Sequence, residues 1–131
     1  MRKIIPLKCL PPPRFRYSQC VKAGPFFHMA GMIGSDPTTG QLASGGPYAE
    51  TKQILANLTA AARELGLSLT DLVSVNIYTT RFDEFPAINK AWEEVFGADL
   101  PPPARTSVGV ATLPASATVE IESRFYNTEA L

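Results

Sequence analysis

The sequence predicts an α+β fold, a mixed sheet with two helices packed on one of its faces. Three observations carry that reading. Two stretches repeat apolar residues at helical spacing: Ile54, Leu55, Leu58, Ala61, Ala62 and Leu65 in the first, Phe85, Ile88, Trp92, Val95 and Phe96 in the second. Runs around and between them alternate apolar and polar residues with the period of a half-buried strand. The resulting order is strand, strand, helix, strand, helix, strand, strand, with a further short strand at Lys3 to Ile5.

Each element has its own local cause. Pro11, Pro12 and Pro13 form a stiff extended connector. Residues Tyr17 to Val21 and Phe26 to Met32 flank Lys22-Ala23-Gly24-Pro25, turn residues between two apolar runs, which predicts a hairpin. Gly34 to Gly40 is a loop by composition. Pro47 suits the first position of the first helix and Gly66 its C-terminal stop. Val73, Val75 and Ile77 alternate with Ser74, Asn76 and Tyr78 as a strand. Asp83 is the expected cap of the second helix, which Gly97 ends. Arg105 to Val110 and Ala117 to Phe125 are the last two strands, with a chain reversal through Leu113-Pro114-Ala115 between them. Arg105 and Ser107 share one face. Thr118, Glu120, Glu122 and Arg124 share another, opposite Val119, Ile121 and Phe125. Two helices cover only one sheet face. Polar residues mixed with apolar ones on the other face predict a subunit interface lined with clefts, and so an oligomer.

Composition sets the bounds. A chain of 131 residues, 45% hydrophobic and 18% charged, reads as a single domain spanning residues 1–131, long enough to bury a core without disulfides. No apolar run has the length of a bilayer span, and the apolar stretch after Met1 is too short for a secretory signal, so the cytoplasm is the expected compartment. Cys9 and Cys20 fit neither a CxxC redox motif nor a zinc ligand set, and are expected as free thiols. His28, the only histidine, lies in an apolar run and is read as structural; no metal site is expected. The 12 basic and 12 acidic residues cancel, which gives no general attraction for nucleic acid. Arg2, Lys3, Lys8, Arg14, Arg16 and Lys22 all precede the first acidic residue, Asp36, but no aromatic platform or RNA-binding motif accompanies them.

Arg105 and Glu120 are the candidate chemistry. If their two strands are adjacent, a guanidinium and a carboxylate come together. An Arg fork grips a carboxylate at two points, and a Glu beside it can take a proton from water or hold that water in place. Such a pair suits hydrolysis of a small carboxylated substrate. The same pair can equally well do no more than close a sheet.

The chain resembles the RidA/YjgF family of small imine deaminases over nearly its whole length. The marks are Tyr17-Ser18-Gln19, the Ala30-Gly31 step, Asp36-Pro37-Thr38-Thr39-Gly40, Asn57-Leu58, Asn89, Pro103-Ala104-Arg105, Leu113-Pro114 and Val119-Glu120-Ile121-Glu122. The resemblance implies a chorismate-mutase-like α+β fold and a homotrimer with three clefts between subunits. It also implies cofactor-free hydrolysis of 2-enamine or 2-imine carboxylates, such as 2-iminopropanoate and 2-iminobutanoate, to 2-oxo acids and ammonia. By the same resemblance, Arg105 clamps the substrate carboxylate and Glu120 positions or activates water. Tyr17 stands at the cleft mouth, the Gly31 backbone touches substrate, and Asn89 lies near the cleft. Ala30 stands where the family often has Ser, Met32 where Gln is common, and Ser107 where Cys or Thr is usual. These departures bear on substrate range. Ser107 has no base that the sequence names, so it is read as a contact residue and not a nucleophile. Two other readings stay open: an RNA-acting protein, since relatives carry endoribonuclease and translation-inhibitor labels, and a non-catalytic module that binds small carboxylates.

Overall fold

Gly24 and Pro25 reverse the chain between β2 (Cys20–Ala23) and β3 (Phe26–Ile33), which pair antiparallel with Ala23 opposite Phe26. Gly24 stands at φ +57, a left-handed conformation that a residue without Cβ enters at little cost. The predicted hairpin is therefore present in the computed structural model, which describes residues 1–130. β1 (Lys3–Ile4) adds to the outer edge of β2.

α1 (Gly46–Glu64) begins beside Pro47 and stops where Gly66 turns to φ +76. β4 (Leu72–Thr79), α2 (Phe85–Val95), β5 (Ala104–Gly109) and β6 (Val119–Tyr126) follow. The sheet order is β1-β2-β3-β6-β4-β5; β4 and β5 are parallel and every other pair is antiparallel. Both helices lie on the face that carries Val119, Ile121 and Phe125 of β6, Val75 and Ile77 of β4, and Phe27 of β3. These side chains pack with Ile54, Leu55, Leu58, Ile88 and Trp92 in one hydrophobic cluster. This is the α+β architecture expected, with helices on one face of a mixed sheet.

Three local expectations are corrected. β5 and β6 are not neighbours, because β6 inserts between β3 and β4 and leaves β5 at the edge. The physical reason is burial. Val119, Ile121 and Phe125 are almost wholly inaccessible, as only a strand covered on both sides allows. Asp83 does not cap α2. A short 3₁₀ turn, Phe82–Glu84, leads into the helix, whose cap is Glu84 with no side-chain hydrogen bond. Val73 leaves the inward row, because a register shift between Leu72 and Ser74 turns Leu72 into the core and Val73 out to solvent.

Two carboxylates fasten the frame. Glu50 of α1 is buried and accepts hydrogen bonds from the Thr118 amide at 2.8 Å and the Thr118 hydroxyl at 2.7 Å, tying the approach to β6 onto the helix. Glu64 accepts the amides of Lys8 and Cys9, each at 2.8 Å, and draws the N-terminal segment against the end of α1. Gln19 completes that attachment. Its amide nitrogen donates to the Pro11 carbonyl at 2.8 Å and its oxygen accepts from the Leu7 amide at 3.0 Å. The strap from Leu10 to Tyr17 is thereby held along the start of the hairpin.

The face away from the helices is polar and aromatic. The Asn76 amide and the Tyr78 hydroxyl both donate to Glu122 Oε1, at 2.7 and 2.5 Å, and hold that carboxyl below the usual carboxylate range. Arg124 Nε donates to Ser74 Oγ at 2.8 Å. Phe26 and Tyr126 meet edge to face, and both are substantially exposed. No described helix is long and apolar enough to cross a membrane.

Candidate functional site

The Ala30-Gly31 step is a bulge. β3 pairs with β6 at Met29 opposite Ser123 and again at Met32 opposite Ile121, so one extra residue lies on β3 between those points. The bulge makes room for Glu120, whose carboxylate rests directly against the Gly31 backbone. A Cβ built on Gly31 would overlap Glu120 Oε2 and stand 2.9 Å from its Cδ. Gly31 is thus the residue that lets this carboxylate lie against the main chain. Burial first, and then the nearby charge of Glu122, push the Glu120 carboxyl above its ordinary pKa. Its oxygens make no hydrogen bond within the described residues. Glu120, Ala30, Gly31 and Tyr17 together line a cavity of about 590 Å³, with the strap residues Leu10, Pro11, Pro12, Arg14 and Phe15 along its side. Tyr17 is half exposed at its mouth.

Arg105 stands elsewhere. It pairs in register with Val75 of β4, so its side chain leaves the sheet on the helix side. There the guanidinium lies over two aromatic rings of α2, 5.0 Å from the Trp92 ring centre and 5.5 Å from that of Phe85. Such cation–π contacts seat the guanidinium without consuming its hydrogen-bond donors. Among the described residues no carboxylate forms an ion pair with it; partial burial lowers its pKa and the field of Glu93 acts against that. Arg105, Asn89, Glu93 and Trp92 line a second recess, of about 410 Å³. Ser107 lies beyond Arg105 on the same face, opposite Ile77, and lines neither cavity.

Within one chain, then, Arg105 and Glu120 do not meet. β4 separates their strands, and the two side chains leave opposite faces of the sheet. The expectation that adjacent strands bring them together is corrected, and so is the alternative of an Arg–Glu pair closing the sheet. The structure instead groups the predicted residues in two sets: Tyr17, Ala30, Gly31 and Glu120 in one, Arg105 and Asn89 in the other.

The sequence reading missed the aromatic seat of Arg105. Its signal was present, since Phe85 and Trp92 recur on one helix face, but the pattern was assigned to the core alone. His28 lies on β3 opposite Val21 and Arg124 and lines neither cavity. Cys9 and Cys20 are free thiols, both pushed up to about 11, chiefly by burial, which leaves them protonated and poor nucleophiles at neutral pH. No group of three or more His, Cys, Asp or Glu side chains able to hold a metal occurs among the described residues.

A direct test of this geometry is Gly31→Ala. The added Cβ displaces a flexible carboxylate and no backbone, so the fold is expected to survive with a small change in melting temperature. Glu120 is expected to lose its seat, and any reaction depending on it to slow by about tenfold or more. An unchanged rate with an unchanged melting curve would show that the close packing on Gly31 is dispensable.

The family model described as endoribonuclease L-PSP matches residues 9–124. The chain is 39% identical over 122 residues to the 2-iminobutanoate/2-iminopropanoate deaminase of Dermatophagoides farinae, covering 93% of this chain and 94% of that protein. It is 36% identical over 126 residues to a RutC family protein of Pyrococcus horikoshii, covering 96% and 98%. Among solved structures, RidA of the Antarctic bacterium Psychrobacter superposes with a TM-score of 0.88 at 34% identity, covering 95% of this chain and 99% of that one.

Proposed function

Because the chain belongs to the endoribonuclease L-PSP family, which is the RidA/YjgF family, we propose that it hydrolyses reactive 2-imine and 2-enamine carboxylates to 2-oxo acids and ammonia. The deaminase names of relatives support the reaction class. The carrying observation is the pair of complementary half-sites. One surface offers a guanidinium with no carboxylate partner, and another offers a carboxylate with no donor and a raised pKa. Each lacks what the other supplies. A second copy of the chain, set so that its Arg105 faces the Glu120 cavity, makes a complete site. A cyclic trimer makes three, and also covers the polar and aromatic sheet face.

In the composite site Arg105 takes the substrate carboxylate at two points and thereby fixes the neighbouring C=N carbon. Glu120, ionised, accepts a proton from water as that water adds to the carbon. Glu120 hands that proton to the nitrogen of the resulting carbinolamine. The C–N bond then breaks, the hydroxyl gives its proton back to Glu120 as the C=O bond forms, and ammonia leaves. No covalent enzyme intermediate is involved. Tyr17 stands where its hydroxyl can meet the substrate at the mouth, and Ala30 and the Gly31 backbone form the wall beside it. Asn89 and Ser107 flank the clamp on the contributing subunit.

The test generates iminoacids in situ with threonine dehydratase or an amino-acid oxidase and follows imine trapped by semicarbazide, with and without the protein. Faster imine loss is expected. Unchanged loss across the panel would leave the carboxylate-binding module as the reading of the same cleft.

Assembly has its own test. Light scattering is expected to give about three times the chain mass. Mixing Arg105→Ala with Glu120→Gln subunits is expected to restore activity that neither homotrimer shows. Every mixed cyclic trimer regains one intact site, so random mixing returns about a quarter of the wild-type rate. No recovery in a demonstrated mixed trimer would overturn the composite site.

The family description also names an endoribonuclease. With zero net charge and no paired acid and base suited to phosphodiester transfer, the purified protein is expected to show little RNA cleavage. Cleavage that co-purifies with the protein and disappears in an active-site variant would favour the RNA reading.

A further inference from the structure

We infer that Glu122 is a positioning residue for the proposed reaction: a fixed negative charge, held on the β4 side of β6 by Asn76 and Tyr78, that makes Glu120 a stronger base. The inference rests on the deaminase reading above and adds a residue to its machinery.

Glu120 and Glu122 alternate with the buried Val119, Ile121 and Ser123 along β6, so both leave the same face of the sheet. Residues two apart on a strand lie about 7 Å from one another. The two side chains lean in opposite directions. The Glu120 carboxylate goes toward β3, where it rests on Gly31. The Glu122 carboxylate goes toward β4, where Asn76 Nδ2 donates to its Oε1 at 2.7 Å and the Tyr78 hydroxyl donates to the same oxygen at 2.5 Å. In the β4–β6 register Asn76 stands opposite Glu122 and Tyr78 opposite Glu120. Strand pairing inside one chain therefore sets these contacts, and a second copy covering this face does not undo them. Two donors on one oxygen keep Glu122 ionised, and the same carboxylate keeps Tyr78 protonated as its donor.

Other elements also present charged and titratable groups to Glu120. On β6, Arg124 lies beyond Glu122 and is bonded to Ser74 of β4. β4 presents Tyr78, and β3 places Ile33 and Gly31 there, neither of which titrates. The strap brings Arg14 and Tyr17 to the same cavity, and the composite site adds Arg105 of the second copy. Of these groups only Glu122 is another carboxylate. Its charge is what the reaction needs beside Glu120, which must accept a proton from water and then return it to nitrogen. A group does both best when its pKa lies near the working pH, above the ordinary carboxylate range. The cation of Arg105 acts against that, and a fixed anion two residues away acts for it.

The experiment measures iminoacid hydrolysis by the intact protein across pH, with the imine-generating enzyme in excess and semicarbazide as the trap. Glu122→Gln keeps an oxygen for Asn76 and Tyr78 and removes only the charge. Without that charge Glu120 ionises at lower pH, so the acid limb of the rate is expected to move down by about half a pH unit or more, the effect of one charge about 7 Å away. Arg105 acts equally in both proteins and does not alter the difference. Glu122→Asp keeps the charge but shortens its reach to the two donors, and its limb is expected to stay closer to wild type than that of Glu122→Gln. In parallel, carbon NMR of the substrate-free protein labelled in glutamate follows the Glu120 carboxyl, identified by its loss in Glu120→Gln. Its midpoint is expected to fall in Glu122→Gln as the limb does. A wild-type limb and midpoint in folded Glu122→Gln overturn the inference, leave the deaminase reading standing and reduce the cluster to a lock on the β4–β6 register. A limb that Glu122→Asp moves as far as Glu122→Gln also overturns it, because contact and not charge then matters. No turnover of any imine by the wild type overturns the deaminase reading, and the carboxyl midpoint then decides alone whether Glu122 sets the basicity of Glu120.

Discussion

Arg105→Ala is expected to abolish iminoacid hydrolysis while the assembly stays folded. The guanidinium has no ion-pair partner in the described chain, so its removal orphans no buried carboxylate; it takes away only the cation–π contacts with Trp92 and Phe85. Melting is therefore expected to change little. The catalytic loss is larger. A charge-assisted contact contributes about 1.5–3 kcal/mol, which corresponds to roughly ten- to a hundredfold in rate. The same contact aligns the imine carbon with water, and loss of that alignment multiplies the effect. Arg105→Lys is expected to rescue poorly, because an ammonium keeps the charge but cannot grip a carboxylate with a planar fork. Release of ammonia or 2-oxo acid measures the rate, and thermal melting is the control. Wild-type turnover by a folded Arg105→Ala protein would remove Arg105 as the clamp and the deaminase reading with it.

Glu120→Gln is expected to keep carboxylate binding and lose turnover, by about a hundredfold on the scale of general-base contributions. The pH profile adds a signature that a structural role does not produce. Burial and the Glu122 charge raise the Glu120 pKa, and the ionised form is the one that accepts a proton from water. The wild-type rate is therefore expected to rise with pH as Glu120 ionises, and Glu120→Gln to lose that limb. Stability runs the other way. Between the unfolded and the raised native pKa the native state holds more protons than the unfolded one, so stability falls as pH rises through that window. At neutral pH Glu120 is a charge the fold accommodates at a cost, and Glu120→Gln is expected to melt at the wild-type temperature or above it. A Glu120→Gln protein that retains the rate and the acid limb would assign the base elsewhere.

Most of the fold is legible in the chain because its signals are local. The alternation of Val119, Ile121 and Phe125 with Glu120, Glu122 and Arg124 states which side of β6 is buried, whichever strands flank it. Pro47 and Gly66 mark the limits of α1 through their own backbone preferences, and Gly24 does the same for the hairpin turn. Asp83 and Val73 depart from their patterns for a reason that is not local. A 3₁₀ turn and a register shift each depend on how a segment must arrive at its neighbour, and the residue pattern is the same either way.

The candidate site divides along the same line. Residue types mark Arg105, Glu120 and Glu122 as charges set among alternating apolar residues, and the family resemblance singles out Arg105 and Glu120. Strand order alone decides whether they meet, and strand order is a property of the closed sheet. The parallel crossover through α2 sends β5 to the edge, and the burial demand of β6 draws it into the centre, so β4 comes between the two residues and their side chains leave opposite faces. Nothing local to Arg105 or Glu120 encodes that separation. The sequence by itself determined which groups are available for chemistry and which face of each strand carries them. The tertiary structure decided that one chain holds them apart, because a sheet pairs strands by the surface they bury and not by their order along the chain.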